Sequence, residues 1–278
     1  MRVLITGARG ALGTDLVPAF RGHDVVAVDS LDVGDRDGVL QAIAQAEPDF
    51  VVHAAAWTDV DGCQLDPDRA FRTNALGTRH VVTGARLVGA GVCYISTDYV
   101  FDGTAGRPYD EWDAPNPLSE YGRSKLGGES ELGPHDLVVR TSWLHGRTRR
   151  NFVRTILDRA RTGTPLQVVD DQHGCPTFTD ELAGLVRDLV VSRRVGIHHV
   201  TNQGVTTWFG LAREAVALAG LDPEQVRPVA TCDLDPPRPA PRPAYSALDN
   251  AALRLGGLPL LADYHEPLER LVKEVCDT

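Results

Sequence analysis

The chain has 278 residues, 42% of them hydrophobic and 24% charged, which is typical of a globular protein and excludes a disordered or coiled-coil chain. Its 28 basic and 38 acidic residues give a formal net charge of −10, so we expect no nucleic-acid partner. An anionic ligand must then be held by local groups such as helix N-termini and individual arginines.

The five cysteines are widely separated and form no Cys-x-x-Cys motif, which predicts neither a disulfide framework nor a zinc site. No apolar run approaches the roughly 18 residues that a membrane span needs, and the first residues form a strand pattern rather than a signal sequence. We therefore expect a cytoplasmic protein with no membrane partner, and we predict no metal-ligating residues, while binding of a magnesium ion stays open.

The first half of the chain alternates short β-branched runs with longer helical patterns, which is typical of βαβ units. The helical patterns include Val39–Ala46 and Ala70–Val88. Together they predict an α/β fold with a doubly wound parallel sheet, the Rossmann type. The predicted strands are Val3–Ile5, Val25–Val28, Phe50–His53, Val92–Ile95 and Leu137–Val139.

The sequence pattern changes in the second half, where polar loops separate the helical patterns and a proline-rich stretch lies at 235–243. We predict a dinucleotide-binding domain over residues 1–145 and a smaller C-terminal region, 146–278, that is mainly a substrate-binding cap. Strand patterns near Leu166–Val169 and His198–Val200 are candidates to return to the main sheet. The helical patterns of this half are Phe152–Ala160, Glu181–Val191 and Leu211–Ala219.

A glycine-rich loop follows the first predicted strand directly. Its spacing is G-x-x-G-x-x-G, from Gly7 through Gly10 to Gly13, and it leads into a predicted helix over Ala11–Phe20. Glycines there allow a tight turn and close approach of a pyrophosphate, and the helix N-terminus attracts anions. In this context the loop predicts a dinucleotide site rather than a purely structural turn.

Two residues bear on the choice of cofactor. Asp29, at the end of the second strand, suits the bare ribose of NAD, whereas Arg9 inside the loop can pair with the 2′-phosphate of NADP. Asp32 and Val33 can contact adenine, although a plain turn is also consistent with them. We expect NADP(H) to be favoured and NAD(H) to be tolerated.

Tyr121 and Lys125 stand four residues apart on a predicted helix. They therefore share one face, and an ammonium group near the phenol is expected to lower the Tyr121 pKa toward working pH. This pair predicts a general acid that can protonate an alkoxide; the alternative is a surface pair. Upstream, Ser96 or Thr97 ends a strand at the carboxyl edge of the sheet, where either hydroxyl can orient a carbonyl.

These features resemble the extended short-chain dehydrogenase/reductases, and within them the dTDP-4-dehydrorhamnose reductase family. The more specific strings are Ser-Thr-Asp-Tyr-Val-Phe-Asp-Gly at 96–103 and Tyr-x-x-Ser-Lys-x-x-Gly-Glu at 121–129. Further similar segments lie at 54–61, 140–143, 171–177 and 242–248. The resemblance covers nearly the whole chain in the expected order.

The resemblance implies reduction of the 4-keto group of dTDP-4-dehydro-6-deoxy-L-mannose to dTDP-L-rhamnose by a nicotinamide cofactor, and a homodimer is compatible with it. Asn74 matches the asparagine that supports the site in the wider superfamily. The implied catalytic residues are Thr97, Tyr121 and Lys125. The expected substrate-binding residues are Thr58, Val60, Thr97, Tyr99 and Trp143. The expected cofactor-binding residues are Gly7, Arg9, Gly10, Ala11, Leu12, Gly13, Asp29, Asp32, Val33, Ala54, Ala55, Ala56, Tyr121 and Lys125.

The chain also departs from the family pattern. Gly62-Cys63-Gln64 stands where Ala-Glu is expected, which puts a usual acidic contact in doubt. His173 and Cys175 resemble the proton-transferring pair of keto-sugar epimerase-reductases, although a loop histidine and a buried thiol are the simpler interpretation. Two alternatives stay open: a related 4-keto-sugar reductase of secondary metabolism, and a non-catalytic dinucleotide-binding regulatory subunit.

Overall fold

The computed structural model describes residues 1–277. The strands are β1 (Arg2–Thr6), β2 (Asp24–Val28), β3 (Phe50–His53), β4 (Gly91–Thr97), β5 (Leu137–Thr141), β6 (Leu144–His145), β7 (Leu166–Val169), β8 (His173–Gly174), β9 (Thr177–Phe178), β10 (Gly196–His199), β11 (Thr206–Thr207) and β12 (Val226–Val229). The α-helices are α1 (Gly13–Ala19), α2 (Arg36–Ala46), α3 (Val60–Leu65), α4 (Pro67–Phe71), α5 (Gly77–Val88), α6 (Glu120–Glu129), α7 (Phe152–Ala160), α8 (Thr179–Val191), α9 (Trp208–Leu218), α10 (Ala251–Leu255) and α11 (His265–Cys276). Shorter turns are a π turn (Arg72–Leu76) and 3₁₀ turns at Asp98–Val100, Pro223–Gln225 and Thr231–Asp233.

Within residues 1–277, the main sheet has six strands in the order β10, β5, β4, β3, β1, β2. Every neighbouring pair is parallel. The chain winds outward from β1 in one direction and from β3 in the other, so the crevice between these two strands is the switch point where such sheets bind ligands. The predicted doubly wound α/β fold is confirmed.

Helices cover both faces of this sheet. Val3 and Ile5 of β1 pack with α1 and α8 on one face, and Leu4 packs with α2 and α5 on the other. Successive side chains of a strand point to opposite faces, so a strand covered on both sides buries every side chain. β3 and β5 are accordingly buried at every position, and their buried His53 and Arg140 have hydrogen-bond partners.

The C-terminal half contributes one strand to the main sheet. β10 pairs with β5, as expected for the segment near His198, with Ile197 opposite Val138. The same expectation for Leu166–Val169 is wrong: β7 pairs with β12 in a separate two-stranded sheet. The reason is packing, because Leu166 and Val168 lie in an apolar cluster with residues of α7 and α9, away from the main sheet.

Most predicted helices differ in extent from the observed ones, and two of the differences have a clear local cause. The first helix begins at Gly13 rather than Ala11, since Leu12 occupies the N-cap position after the glycine turn. The segment predicted as one helix over Ala70–Val88 is divided by the π turn at Arg72–Leu76. Such turns insert an extra residue and are frequent at functional sites.

Candidate active site

The candidate site is a cavity of about 450 Å³ at the carboxyl ends of β1, β3, β4 and β5. It begins at the glycine loop, passes the Tyr-Lys pair on α6 and ends against tryptophan side chains. Its lining residues are Gly10, Ala11, Leu12, Gly13, Ala54, Ala56, Thr58, Val60, Ile95, Ser96, Thr97, Asp98, Tyr99, Tyr121, Lys125, Thr141, Ser142, Trp143, Leu144 and Trp208.

The glycine loop forms a turn that only glycine fits at two positions. Gly7 has a φ of +70°, and a Cβ on it would lie 2.8 Å from the Ala55 nitrogen. A Cβ on Gly13 would lie 2.1 Å from the Gly7 carbonyl oxygen. Because the glycine positions leave the backbone open to close approach and the loop leads into the N-terminus of α1, it fits the pyrophosphate of a dinucleotide.

The predicted cofactor residues divide into two groups. Gly10 to Gly13, Ala54 and Ala56 line the cavity, and Gly7 and Ala55 pack against each other behind it. Val33 is 3% exposed and belongs to the core cluster beneath α2 and α5, so its side chain does not line the cavity. Asp32 accepts a hydrogen bond from the Gly34 N–H at 2.9 Å, which is a turn contact.

Arg9 and Asp29 lie outside the cavity lining and contact each other. The Arg9 Nε atom is 3.0 Å from the Asp29 carboxylate, and both side chains are exposed. The two residues that argue for different cofactors therefore form one surface ion pair.

Helix α6 brings Tyr121 and Lys125 to the cavity. Ser119 is its N-cap and accepts a hydrogen bond from the Gly122 N–H at 3.2 Å. Gln64 adds a second acceptor, because its side-chain oxygen accepts from the Glu120 N–H at 3.1 Å. An amide oxygen thus contacts the helix terminus although the expected acidic residue is absent.

Lys125 is almost completely buried. Its Nζ donates to the Ile95 carbonyl oxygen at 2.7 Å and lies 4.0 Å from the centre of the Tyr94 ring. Burial lowers the pKa of Lys125 to about 7, and the negative charge of Glu129 opposes this effect. The ammonium is therefore poised to change charge near neutral pH.

The expected effect of Lys125 on Tyr121 is wrong for this structure. Burial raises the pKa of the Tyr121 phenol above its usual value, and a hydrogen bond with Thr97 only partly offsets that rise. Proximity along a helix could not reveal that desolvation dominates. Tyr121 is consequently a neutral proton donor at physiological pH, with its ring edge-on to Tyr99 at 5.7 Å.

The two candidate hydroxyls of β4 have different partners. Ser96 donates to the Glu129 carboxylate, which also pairs with the buried Arg140 guanidinium at 2.7 Å. Thr97 faces Asp98 and Tyr121. Both hydroxyls donate to a carboxylate, and Thr97 is the one that also faces Tyr121, so Thr97 is the better candidate to contact a ligand there.

Asn74, in the π turn, ties the catalytic helix to the loop after β3. Its side chain accepts from the Trp57 N–H at 2.8 Å and donates to the Trp57 carbonyl oxygen and to the Ser124 hydroxyl. Ser124 in turn donates to the Tyr121 carbonyl oxygen at 2.8 Å. These bonds fix α6 against the sheet, in keeping with the supporting role that the resemblance implies.

Each predicted substrate residue lines the cavity: Thr58, Val60, Thr97, Tyr99 and Trp143. Trp143 has a φ of +45° and stacks on Trp208, with ring centres 3.7 Å apart. The sequence did not single out Trp208, which begins α9 and comes from the cap. No local motif marks it, and only the three-dimensional contact reveals it.

A second cavity of about 400 Å³ shares Tyr99 and Trp208 with the first. Three arginines line it: Arg159, Arg238 and Arg242. Arg242 forms a two-pronged ion pair with Asp61 at 2.6 and 2.8 Å. The arrangement of cationic and aromatic side chains suits an anionic group attached to a planar ring.

His173 and Cys175 do not line the candidate active-site cavity. The His173 ring stacks on Tyr245 with centres 5.5 Å apart, and burial raises the pKa of the Cys175 thiol to about 11. These contacts agree with the simpler interpretation of a loop histidine and a buried thiol. Over residues 1–277, no helix is long and apolar enough to cross a membrane.

The fold and the site define a dinucleotide-binding α/β protein of the extended short-chain dehydrogenase/reductase type. The chain matches the family model described as RmlD substrate binding domain over residues 1–276. A dTDP-4-dehydrorhamnose reductase of Streptomyces griseus is 41% identical, over 99% of this chain and 94% of that protein. A probable dTDP-4,6-dihydroxy-2-methyloxan-3-one 4-ketoreductase of Streptomyces antibioticus is 42% identical, over 99% of this chain and 96% of that protein.

Among solved structures, dTDP-4-dehydrorhamnose reductase of Bacillus anthracis, crystallised in complex with NADP, has a TM-score of 0.93 and 36% identity. The match covers 98% of this chain and 99% of that chain. The chain therefore belongs to the RmlD family, which confirms the resemblance seen in the sequence motifs.

Proposed function

We propose that this protein is an oxidoreductase that reduces the C4 ketone of dTDP-4-dehydro-6-deoxy-L-mannose to the alcohol of dTDP-L-rhamnose, with NADP(H) as the favoured cofactor. The observation that carries the proposal is a single cavity that joins the glycine loop at Gly10–Gly13 to Thr97, Tyr121 and Lys125. Full-length similarity to reductases of dTDP-4-keto sugars supports the same substrate class.

When bound, the cofactor would supply the hydride that reduces the ketone carbon. The backbone of the glycine loop would hold its pyrophosphate, and Lys125 would bind its ribose hydroxyls. Tyr121 is the proton donor to the ketone oxygen, since the raised pKa of its phenol keeps it protonated. Thr97 orients that oxygen through its hydroxyl.

The arginine-lined cavity is the proposed site of the nucleoside diphosphate of the substrate. Arg159 and Arg238 provide cationic groups for phosphate oxygens, whereas Asp61 occupies the two-pronged face of Arg242, which therefore borders the site without offering that face to a phosphate. Tyr99 and Trp208 border both cavities, so a substrate that spans them has its sugar beside Tyr121.

NADP(H) is favoured over NAD(H) for two reasons. The Bacillus anthracis relative was crystallised with NADP. In this chain the exposed Arg9 guanidinium, paired with Asp29, can contact a 2′-phosphate. Because Asp29 also suits unmodified ribose hydroxyls, we expect NADH to be used less efficiently rather than rejected.

A second candidate is a dTDP-4-keto-6-deoxyhexose reductase of secondary metabolism. The Streptomyces antibioticus 4-ketoreductase, at 42% identity, is as similar to this chain as the rhamnose enzyme of Streptomyces griseus. Both candidates use the same catalytic residues and differ in the sugar that the cap accepts.

The proposal also assigns cofactor binding and substrate binding to different parts of the chain. Residues 1–145 would bind the cofactor and supply the proton donor, and 146–278 would form most of the substrate cap while β10 completes the sheet. A homodimer and a cytoplasmic location stay predictions; light scattering of the purified protein tests the first and cell fractionation the second.

Turnover of a keto sugar by the purified protein tests the proposed function. The purified protein should oxidise NADPH when a dTDP-4-keto-6-deoxy-L-sugar is supplied, and NMR of the product should give the C4 configuration, which distinguishes the two candidates. No turnover with any dTDP-4-keto sugar, together with reduction of an unrelated ketone, would refute the proposal.

A further inference from the structure

A buried chain of hydrogen bonds runs from the cap into the catalytic cavity. The Ser246 hydroxyl donates to one oxygen of the Asp98 carboxylate at 2.5 Å, and the Thr97 hydroxyl donates to the other at 3.1 Å. All three residues are at most 6% exposed. Ser246 is itself anchored, since its N–H donates to the His173 carbonyl oxygen at 2.9 Å.

This chain of hydrogen bonds conflicts with the role proposed for the Thr97 hydroxyl as a donor to the ketone. Its oxygen accepts from the Tyr99 N–H at 3.2 Å, and its one proton points to Asp98. A hydroxyl has a single proton, so Thr97 cannot donate to a ketone oxygen while it donates to a carboxylate. Something must free that proton before Thr97 can orient the substrate.

We propose that Asp98, held in place by Ser246, is a positioning residue that sets the direction of the Thr97 hydroxyl during ketone reduction. The inference rests on the proposed function. When Asp98 carries a proton on the oxygen that faces Thr97, it donates to the Thr97 oxygen, and the Thr97 proton turns toward the cavity. The other Asp98 oxygen continues to accept from Ser246, and the contact that changes is the one between the Thr97 and Tyr121 hydroxyls.

The surroundings of Asp98 make this protonation accessible. Burial raises the pKa of Asp98 to about 7, and the hydrogen bonds from Ser246 and Thr97 partly offset the rise. The titratable groups around it are Tyr99, Tyr121 and Cys175, which are neutral at pH 7 because their ordinary pKa values lie above 7 and burial raises them further. Arg242 lies beyond Tyr99 and is paired with Asp61, and Lys125 titrates separately on α6.

The experiment is the pH dependence of kcat/KM for the keto sugar between about pH 6 and 9, at saturating NADPH. In Asp98→Asn the amide can always donate to Thr97, so this variant resembles the protonated acid. The ratio of Asp98→Asn to wild-type kcat/KM should therefore rise about tenfold per pH unit above pH 7. Lys125 titrates in both proteins, so its contribution cancels in the ratio.

Ser246→Ala gives an independent readout if Asp98→Asn fails to fold. The hydrogen bond that is lost favoured the ionised carboxylate, so the pKa of Asp98 should rise. The fall of kcat/KM at alkaline pH, here called the alkaline limb, should therefore shift to higher pH by on the order of one pH unit. Ser130→Ala, an exposed serine at the end of α6, is the matched control and should leave the limb unchanged.

A merely structural role would lower kcat/KM by the same factor at every pH. If the ratio of variant to wild-type kcat/KM stays constant from pH 6 to 9 for either folded variant, the inference is overturned. Absence of wild-type turnover with every keto sugar at every pH would instead refute the proposed function, so the two failures are distinguishable.

Discussion

Replacing Lys125 with methionine should raise the free energy of unfolding and abolish reductase activity. Lys125 is 2% exposed and its ammonium has one hydrogen-bond acceptor, the Ile95 carbonyl oxygen, and one aromatic contact, the Tyr94 ring. A methionine side chain has nearly the same length and no charge. The substitution therefore removes a buried charge without opening a large cavity.

The magnitude follows from the pKa of Lys125. A shift from 10.5 to about 7 corresponds to about 5 kcal/mol of disfavoured burial of the charged form. The Ile95 carbonyl would lose its partner, which costs about 1–3 kcal/mol. We expect a net increase in the free energy of unfolding of about 2–4 kcal/mol at pH 6.

The pH dependence has a definite sign. Below pH 7 the Lys125 side chain is charged in both the folded and the unfolded states, so the full penalty for burying the charge applies. Between pH 7 and 10.5 only the unfolded state keeps the proton, so the free energy of unfolding of the wild type rises with pH. The advantage of Lys125→Met should therefore shrink from pH 6 to pH 9.

Urea denaturation at both pH values measures this difference. The chain offers a matched control, because its only other lysine, Lys273, is exposed on α11, and Lys273→Met should change stability by no more than about 0.5 kcal/mol. A Lys125→Met variant no more stable than wild type at pH 6, with a normal Lys273→Met control, would refute the reasoning.

Three further changes test separate parts of the site. Tyr121→Phe removes only the phenol hydroxyl, so kcat should fall by about 10²–10⁴ while NADPH affinity, measured by fluorescence titration, changes little; retention of more than about a tenth of wild-type kcat would contradict the acid role. Arg9→Ala should raise KM for NADPH more than for NADH, and equal effects would show that Arg9 does not contact the 2′-phosphate. Gly13→Ala sets a methyl group 2.1 Å from the Gly7 carbonyl oxygen and should abolish NADPH binding. Its control, Gly184→Ala in α8, meets nothing within 4 Å and should keep binding while stabilising the helix by about 1 kcal/mol; normal NADPH affinity in Gly13→Ala would show that the loop tolerates a side chain.

Local patterns predicted the parts of this protein that depend on neighbouring residues. The glycine spacing from Gly7 to Gly13 and the i, i+4 pair Tyr121 and Lys125 each lie within one turn or helix, so their geometry follows from the sequence. The order of apolar strands likewise predicted the doubly wound sheet. The partner of a strand is a different matter: the β7 pattern is equally compatible with the main sheet and with β12.

Contacts between distant segments could not be predicted. Trp208 stacks on Trp143, and Arg242 pairs with Asp61, although each pair is far apart in the sequence. Burial is also a property of the whole fold, which is why the raised pKa of Tyr121 was missed. The sequence located the reactive groups, and the structure was needed to give their protonation states and their partners.

The central claim is that this cavity transfers hydride to C4 of a dTDP-4-keto sugar. The most direct measurement uses NADPH that carries deuterium on the transferred position of the nicotinamide ring, followed by mass spectrometry and NMR of the product. The account predicts one deuterium, located on C4 of a dTDP-6-deoxyhexose, and no transfer in Tyr121→Phe beyond its residual rate. A product without deuterium at C4, or NADPH binding with no product from any dTDP-4-keto sugar, would contradict it.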